Sequence, residues 1–109
     1  MKKFCLALDL IDESELIAEY EKYHENIWPE IKQSILDSGI KSMEIYRVQN
    51  RLFMMIEAEE SFSFDAKNKA DKNNPKVREW EELMWKFQQQ LPHSKPGEKW
   101  QLMDKVFSL

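Results

Sequence analysis

The sequence predicts an α+β domain in which a four-stranded antiparallel sheet carries two helices on one face. Apolar and polar residues alternate in four stretches, which is typical of strands, and apolar residues recur every three or four positions in two others, which is typical of helices. These stretches follow one another in the order strand, helix, strand, strand, helix, strand. A chain of 109 residues is long enough for one hydrophobic core, so we expect a single domain that spans residues 1–109.

The first strand and the first helix are predicted at the start of the chain. Lys3 to Leu10 places its large apolar side chains on one face, as a strand with one buried side does. Asp12 is a suitable helix cap, and Glu15 follows three residues later as in a capping box. Pro29 disfavours helical geometry at the residue before it, so we expect the helix to kink or restart there and to end at Gly39.

A β-hairpin is predicted next. Its strands are Ile40 to Val48 and Arg51 to Glu59, and the turn lies at Gln49-Asn50. The second strand has apolar residues on both sides, although the helices can cover only one face of the sheet. We therefore expect the other face to be buried against a second copy of the chain, in a homodimer that packs sheet to sheet.

A second helical region and a last strand complete the predicted order. Ser61 to Ala70 forms a short helix, and Asn74 caps the next one with Pro75 at its first position. That helix carries apolar residues at three- and four-residue spacings: Val77, Trp80, Met84, Phe87 and Leu91. After a loop from Pro92 to Gly97, the last strand is predicted from Glu98 to Leu109.

The composition excludes several classes of function. Sixteen Lys and Arg residues against twenty Asp and Glu give a net charge of −4 with no basic face, so nucleic acid is a poor partner. Cys5 is the only cysteine, which excludes an internal disulfide and a cysteine-built metal site and favours a cytoplasmic protein. No segment approaches the roughly 20 apolar residues that span a bilayer, so we expect no membrane association.

The most chemically dense segment lies in the first helix. Its inward stripe consists of Ile17, Tyr20, His24, Ile27 and Ile31. His24 and Tyr20 lie one turn apart on this stripe, where they form either an acid/base pair or part of the core. Trp80 faces the sheet from the second helix, so it and His24 can line one cleft, and Glu81 either borders that cleft or is solvated. With two histidines and no glycine-rich loop, the sequence supports neither a metal site nor a nucleotide site, and we expect no cofactor.

Beyond these patterns, the sequence resembles a known family. The run Tyr20-x-x-x-His24-x-x-Ile27-Trp28-Pro29-Glu30, followed by Ile45-Tyr46, Trp80 and the closing Val106-Phe107, is similar to the L-rhamnose mutarotases and their relatives that act on L-fucose. The resemblance covers essentially the whole chain. It implies a ferredoxin-like βαββαβ fold, a dimeric α+β barrel, and interconversion of the α and β anomers of a 6-deoxyhexose without a cofactor.

The resemblance also implies roles for individual residues. The proton-donating histidine of the family falls on His24, which is expected to exchange a proton with the ring oxygen of the sugar, and the sugar-contacting tyrosine falls on Tyr20. The substrate-binding tryptophan falls on Trp80. Rhamnose-type members often have a tyrosine at the position of Met43 and a second tryptophan at the position of Glu81. Both positions belong to the expected substrate-binding set, so the identity of the sugar stays open between L-rhamnose, L-fucose and another neutral hexose. We further expect either Tyr20 or Glu81 to exchange the proton of the anomeric hydroxyl.

Two other functions fit the same fold. One is a dimer that binds a small molecule without catalysis, in which the histidine and the indoles only hold the ligand. The other is a small dimeric monooxygenase that oxidises a flat aromatic substrate. Acceleration of anomer exchange separates the mutarotase from both.

Overall fold

The computed structural model describes all 109 residues and has nine regular elements. The strands are β1 (Lys2–Leu10), β2 (Ile40–Val48), β3 (Arg51–Ala58), β4 (Gln88–Gln89) and β5 (Gln101–Leu102). The helices are α1 (Ser14–Glu25), α2 (Pro29–Asp37), α3 (Phe64–Lys72) and α4 (Pro75–Trp85). None of these helices is both long enough and apolar enough to cross a membrane.

All strand pairs are antiparallel, and the sheet has the order β2-β3-β1-β4, with β5 also paired to β1. β1 and β3 pair along almost their whole length, from Lys2 opposite Ala58 to Asp9 opposite Arg51. β2 and β3 form the expected hairpin, and Gln49 adopts a positive φ of 52° in its turn. The predicted α+β class with an antiparallel sheet is confirmed.

The prediction of one continuous last strand from Glu98 to Leu109 is wrong. The edge beside β1 is shared by two short strands, because Gln88 pairs with Leu10 before the chain leaves the sheet and Leu102 pairs with Leu6 after it returns. Helix α4 accordingly ends at Trp85, although the apolar stripe predicted a helix as far as Leu91. The run of glutamines favours a helix by intrinsic propensity, but pairing with the free edge of β1 overrides that preference.

The predicted break between the first two helices is confirmed, whereas the start of α1 differs from the prediction and α3 covers Phe64–Lys72 rather than Ser61 to Ala70. α1 ends at Glu25 and α2 begins at Pro29, so the chain restarts a helix where proline required it. The predicted cap at Asp12 is wrong: α1 begins at Ser14, and the residue at its cap position makes no side-chain hydrogen bond to the helix. Three polar residues, Asp12 to Ser14, occupy the positions around the start of this helix, and the sequence pattern alone does not distinguish among them.

The core lies between the helices and one face of the sheet, and it is divided in two. One cluster of buried residues contains Leu10, Tyr20, Ile31, Leu52, Val77, Trp80, Met84 and Phe87. The other contains Leu6, Ile40, Met54, Ile56, Ala58 and Phe62. Members of both clusters line a cavity between the helices and the sheet, so the division of the core marks the position of a site.

Candidate active site

The cavity has a volume of about 740 Å³, which lies within the range of about 300–1,000 Å³ that is usual for small-molecule sites. All four helices, the sheet and the segment before β5 contribute to its lining. The five candidate site residues from the sequence all line this cavity: Tyr20, His24, Met43, Trp80 and Glu81. The fold therefore brings together residues that lie up to 61 positions apart in the chain.

His24 lies on α1 with one ring nitrogen occupied. Its Nδ1 is 2.9 Å from the backbone carbonyl oxygen of Tyr20, and because a carbonyl can only accept, Nδ1 carries the proton. Burial lowers the pKa of the imidazole, while the hydrogen bond to the carbonyl opposes that shift. The neutral ring therefore has Nε2 as its free acceptor, and this is the form that prevails at neutral pH.

Tyr20 packs beneath the histidine, with the ring centroids 4.4 Å apart and the rings tilted by 35°. Burial raises the pKa of its phenol to about 12, and a hydrogen bond with the side chain of Gln88 partly offsets the shift. Tyr20 therefore keeps its proton at neutral pH and acts as a hydrogen-bond donor rather than as a base.

Gln88 is a polar cavity residue that the sequence reasoning missed. It is buried, it lies on β4, and its side chain contacts the Tyr20 phenol. The sequence carries no local signal for this role, because the position of Gln88 depends on its pairing with Leu10 of β1.

Trp80 is fixed from several sides by other rings. Its indole lies 5.6 Å from the His24 ring and 5.1 Å from the Trp28 ring, both in edge-on arrangements. Tyr23 meets it at 6.2 Å and almost at a right angle. Trp28 supports the indole from behind and is not itself part of the cavity wall. A rigid aromatic face of this kind suits the C–H side of a sugar ring.

Met43 and Glu81 lie on different walls. Met43 contributes an apolar side chain from β2, and the carboxylate of Glu81 comes from α4, directly after Trp80. Glu81 lies 4.0 Å from the ammonium of Lys99, whose Nζ also lies 5.2 Å from the ring centre of Trp85. The Glu81 side chain is 50% exposed, so it borders the cavity and is also solvated.

The chemistry available in the cavity is acid/base chemistry beside an aromatic face. It offers an imidazole with a free nitrogen, a protonated phenol, a carboxylate and an indole. No group of three or more His, Cys, Asp or Glu side chains is arranged to hold a metal ion.

Comparison with known proteins gives a consistent family. The family model described as L-rhamnose mutarotase matches residues 3–109. An L-fucose mutarotase of Xanthomonas campestris pv. campestris is 41% identical over 111 residues, which cover 100% of this chain and 89% of that protein. A UPF0734 protein of Dictyostelium discoideum is 42% identical over 114 residues, which cover 99% of this chain and 90% of that protein.

Solved structures agree at the level of the fold. An L-rhamnose mutarotase from Formosa agariphila superposes with a TM-score of 0.73 at 22% identity, covering 100% of this chain and 99% of that one. The tetracenomycin F2 cyclase of Streptomyces glaucescens superposes with a TM-score of 0.64 at 14% identity, covering 100% of this chain and 97% of that one. Because the two neighbours have different activities, the shared fold by itself does not determine the reaction.

Proposed function

The chain belongs to the L-rhamnose mutarotase family and is a sugar mutarotase, and on that premise we propose that it interconverts the α and β anomers of L-fucose with His24 as the group that moves the proton. Ring opening breaks the bond between the anomeric carbon and the ring oxygen. The anomeric hydroxyl loses a proton and becomes the aldehyde oxygen, while the ring oxygen gains a proton. After rotation of the aldehyde, the reverse transfers close the ring, so only protons move.

The state of His24 carries this proposal. Nδ1 donates to the Tyr20 carbonyl, which leaves Nε2 free to accept the proton of the anomeric hydroxyl. The imidazolium that forms is acidic, because burial lowers its pKa. The anomeric hydroxyl and the ring oxygen are bonded to the same carbon, so one nitrogen can take the proton from the first and deliver it to the second.

The other cavity residues assist this transfer. The Tyr20 phenol keeps its proton and can donate a hydrogen bond to the anomeric oxygen as negative charge develops on it. The Trp80 indole packs on the sugar ring. Glu81, which lies beside Trp80, accepts a hydrogen bond from a neighbouring sugar hydroxyl.

Two observations favour L-fucose over L-rhamnose. Met43 and Glu81 occupy the positions at which rhamnose-type members often have tyrosine and tryptophan, so an apolar and an acidic group replace two aromatic ones. The relative that is 41% identical over the whole chain is an L-fucose mutarotase. The apolar surface of Met43 suits the methyl group that both 6-deoxyhexoses carry, so it supports this class of sugar and not the choice between the two.

We further propose that the protein works as a homodimer in the cytoplasm. The sheet face opposite the helices carries Tyr46 and Phe53, whose ring centroids lie 6.3 Å apart, and Met55 on the same face. In the single chain, Tyr46 is exposed. A second copy packed on this face would remove these apolar side chains from water. The single free cysteine is in keeping with a reducing compartment.

The test is anomer exchange measured by saturation-transfer NMR on L-fucose, L-rhamnose, D-galactose and D-glucose. We expect the parent protein to accelerate L-fucose exchange most. The variant His24→Asn should lower the catalysed rate about 10² to 10⁴-fold, which is the usual contribution of a general acid/base.

His93→Asn is the matched control. His93 is the only other histidine, it is exposed, and it lies outside the cavity. Asparagine tolerates the positive φ of 69° at this position. We expect the parent rate from this variant. An unchanged rate in His24→Asn would remove His24 from the mechanism, and faster exchange of L-rhamnose than of L-fucose would refute the proposed substrate.

A further inference from the structure

The inward face of α3 is polar, although its spacing is that of a core-facing stripe. Phe64, Lys67, Asn68 and Asp71 all line the cavity, at positions one, four, five and eight of the helix. Residues at this spacing share one helix face and are usually apolar where that face meets a core. Here only Phe64 is apolar, and α3 has no fully buried residue. This face is therefore not explained by core packing.

Lys67 and Asp71 form an ion pair in this wall, with Nζ 2.7 Å from Oδ2. Their side chains are only 18% and 14% exposed, whereas those of the Lys76–Glu79 pair on α4 are 52% and 60% exposed. Withdrawing two charges from water costs free energy that the attraction within the pair often fails to recover. A contribution to the stability of α3 is therefore a weak explanation for the presence of this ion pair at the cavity wall.

The pair keeps unused hydrogen-bonding capacity. The Lys67 ammonium has three N–H groups and uses one on Asp71, whose Oδ1 accepts no hydrogen bond from the protein. The side chain of Asn68 forms no hydrogen bond within the chain either. A donor and an acceptor, fixed relative to each other, therefore remain available to a ligand in the cavity.

This wall adjoins the end of the cavity that holds the aromatic face. Asn68, Asp71 and Glu81 also line a second, polar cavity of about 180 Å³ between α3 and α4. Glu81 directly follows Trp80 in α4. The polar face of α3 therefore shares this smaller cavity with Glu81, the neighbour of the residue on which we place the sugar ring.

Given the mutarotase activity proposed above, we propose that Lys67 and Asp71 form a subsite for two neighbouring hydroxyl groups of the sugar, away from the anomeric carbon. One hydroxyl donates to Oδ1 of Asp71, and its neighbour accepts from Nζ of Lys67. Asn68, which is more exposed, borders the subsite at its rim. L-Fucose and L-rhamnose differ in the configuration of such neighbouring hydroxyls, so this pair contributes to the choice between them.

The decisive variant replaces the pair with apolar side chains, Lys67→Met together with Asp71→Leu. Such a replacement usually leaves stability unchanged or increases it, so the fold is retained. Binding should weaken because two charge-assisted hydrogen bonds are lost. We expect KM for L-fucose to rise about 10- to 100-fold, with kcat changed less than about 3-fold, since these contacts exist equally in the ground state and the transition state.

Two further variants complete the test. Glu79→Gln breaks the exposed pair on α4 and should leave KM at the parent value. Asp71→Asn keeps the shape of the side chain and should raise KM about 10-fold, which provides a result if the double variant does not fold. Parent-like KM in a folded double variant, or in Asp71→Asn, would overturn the subsite.

The proposed subsite and the proposed substrate are contradicted by different experimental outcomes. If the parent protein acts on a sugar other than L-fucose, the same comparison of KM is made with that sugar. An altered KM would then support the subsite while the substrate assignment falls. An unchanged KM with an intact parent activity would reject the subsite and leave the mutarotase in place.

Discussion

At the scale of single residues, the His24 ring makes catalysis depend on pH in one direction. The proposed mechanism begins with neutral His24, and burial lowers the pKa of this group, so protonation occurs only below its ordinary range. We expect kcat to fall as the pH decreases below about 6.5 and to be level above pH 7. The Tyr20 phenol, with a pKa of about 12, adds no loss of activity up to pH 9. Exchange rates between pH 5 and pH 9, with the spontaneous rate subtracted at each pH, test this prediction.

A rate that increases as the pH falls would contradict it, because the resting histidine would then act as an imidazolium.

The free energy of unfolding depends on pH in the same direction as kcat. The folded state disfavours the proton on His24, so the unfolded chain binds more protons near the ordinary pKa of histidine. The contribution of His24 to stability is therefore complete above the ordinary pKa of histidine and is lost as the pH falls from there through the lowered pKa of the folded state. The variant His24→Asn should lack this part of the pH dependence.

Periodicity in the sequence was sufficient to find the residues that lie on regular helices. Tyr20, His24 and Trp80 all share the cavity that their spacing predicted. The position of Gln88 in the cavity could not be predicted from periodicity, because it depends on pairing with Leu10, which is 78 positions earlier. The polar face of α3 was visible in principle, since Lys67 and Asp71 have helical spacing. Helical spacing alone, however, does not tell a cavity wall from a solvated face.

At the scale of elements, the caps predicted from sequence were correct where a side chain and a proline acted together. Asn74 precedes Pro75, and its side chain accepts hydrogen bonds from the backbone N–H groups of Lys76 and Val77. Before α1, no proline selects among the polar residues, and the cap was misplaced. The proline fixes the backbone at the first helical position, which makes the preceding residue the only suitable cap.

Removing the cap of α4 should weaken the wall that carries Trp80. We expect Asn74→Ala to lower the free energy of unfolding by about 1 kcal/mol, because two backbone N–H groups of the first turn lose their acceptor. Asn73→Ala is the matched control, since the Asn73 side chain forms no hydrogen bond and the substitution should have little effect. Urea denaturation of the three proteins measures the difference. Equal losses from both substitutions would show that the cap does not stabilise α4.

The last strand shows the limit of element prediction. Its pairing is divided between Gln88–Gln89 and Gln101–Leu102, and the segment between them returns to the cavity through Gly97, Lys99 and Trp100. Nothing local in these two-residue strands distinguishes them from coil, because a strand of this length exists only through its partner. The edge of β1 decides where they form, and that edge exists only in the folded molecule.

At the scale of the whole molecule, exposed apolar side chains favour assembly with a second copy of the chain. The residues after β5 form no regular element, and Val106, Phe107 and Leu109 are almost fully exposed. On the open face of the sheet, Tyr46 is exposed and lies beside the half-buried Phe53. A second copy of the chain would remove such side chains from water, which supports the homodimer that the sequence predicted.

A charge in the middle of the open face should therefore separate the two copies. Phe53 is central on this face, opposite Tyr46 on one side and Ala7 on the other. We expect the parent protein to have the mass of a dimer by size-exclusion chromatography with light scattering, and Phe53→Asp to have that of a monomer, because dimerisation would bury an unpaired carboxylate. Leu36→Glu, which changes an exposed leucine of α2 on the opposite side of the sheet, should remain dimeric. A parent protein that is monomeric at micromolar concentration, or a Phe53→Asp variant that stays dimeric, would show that this face is not the interface.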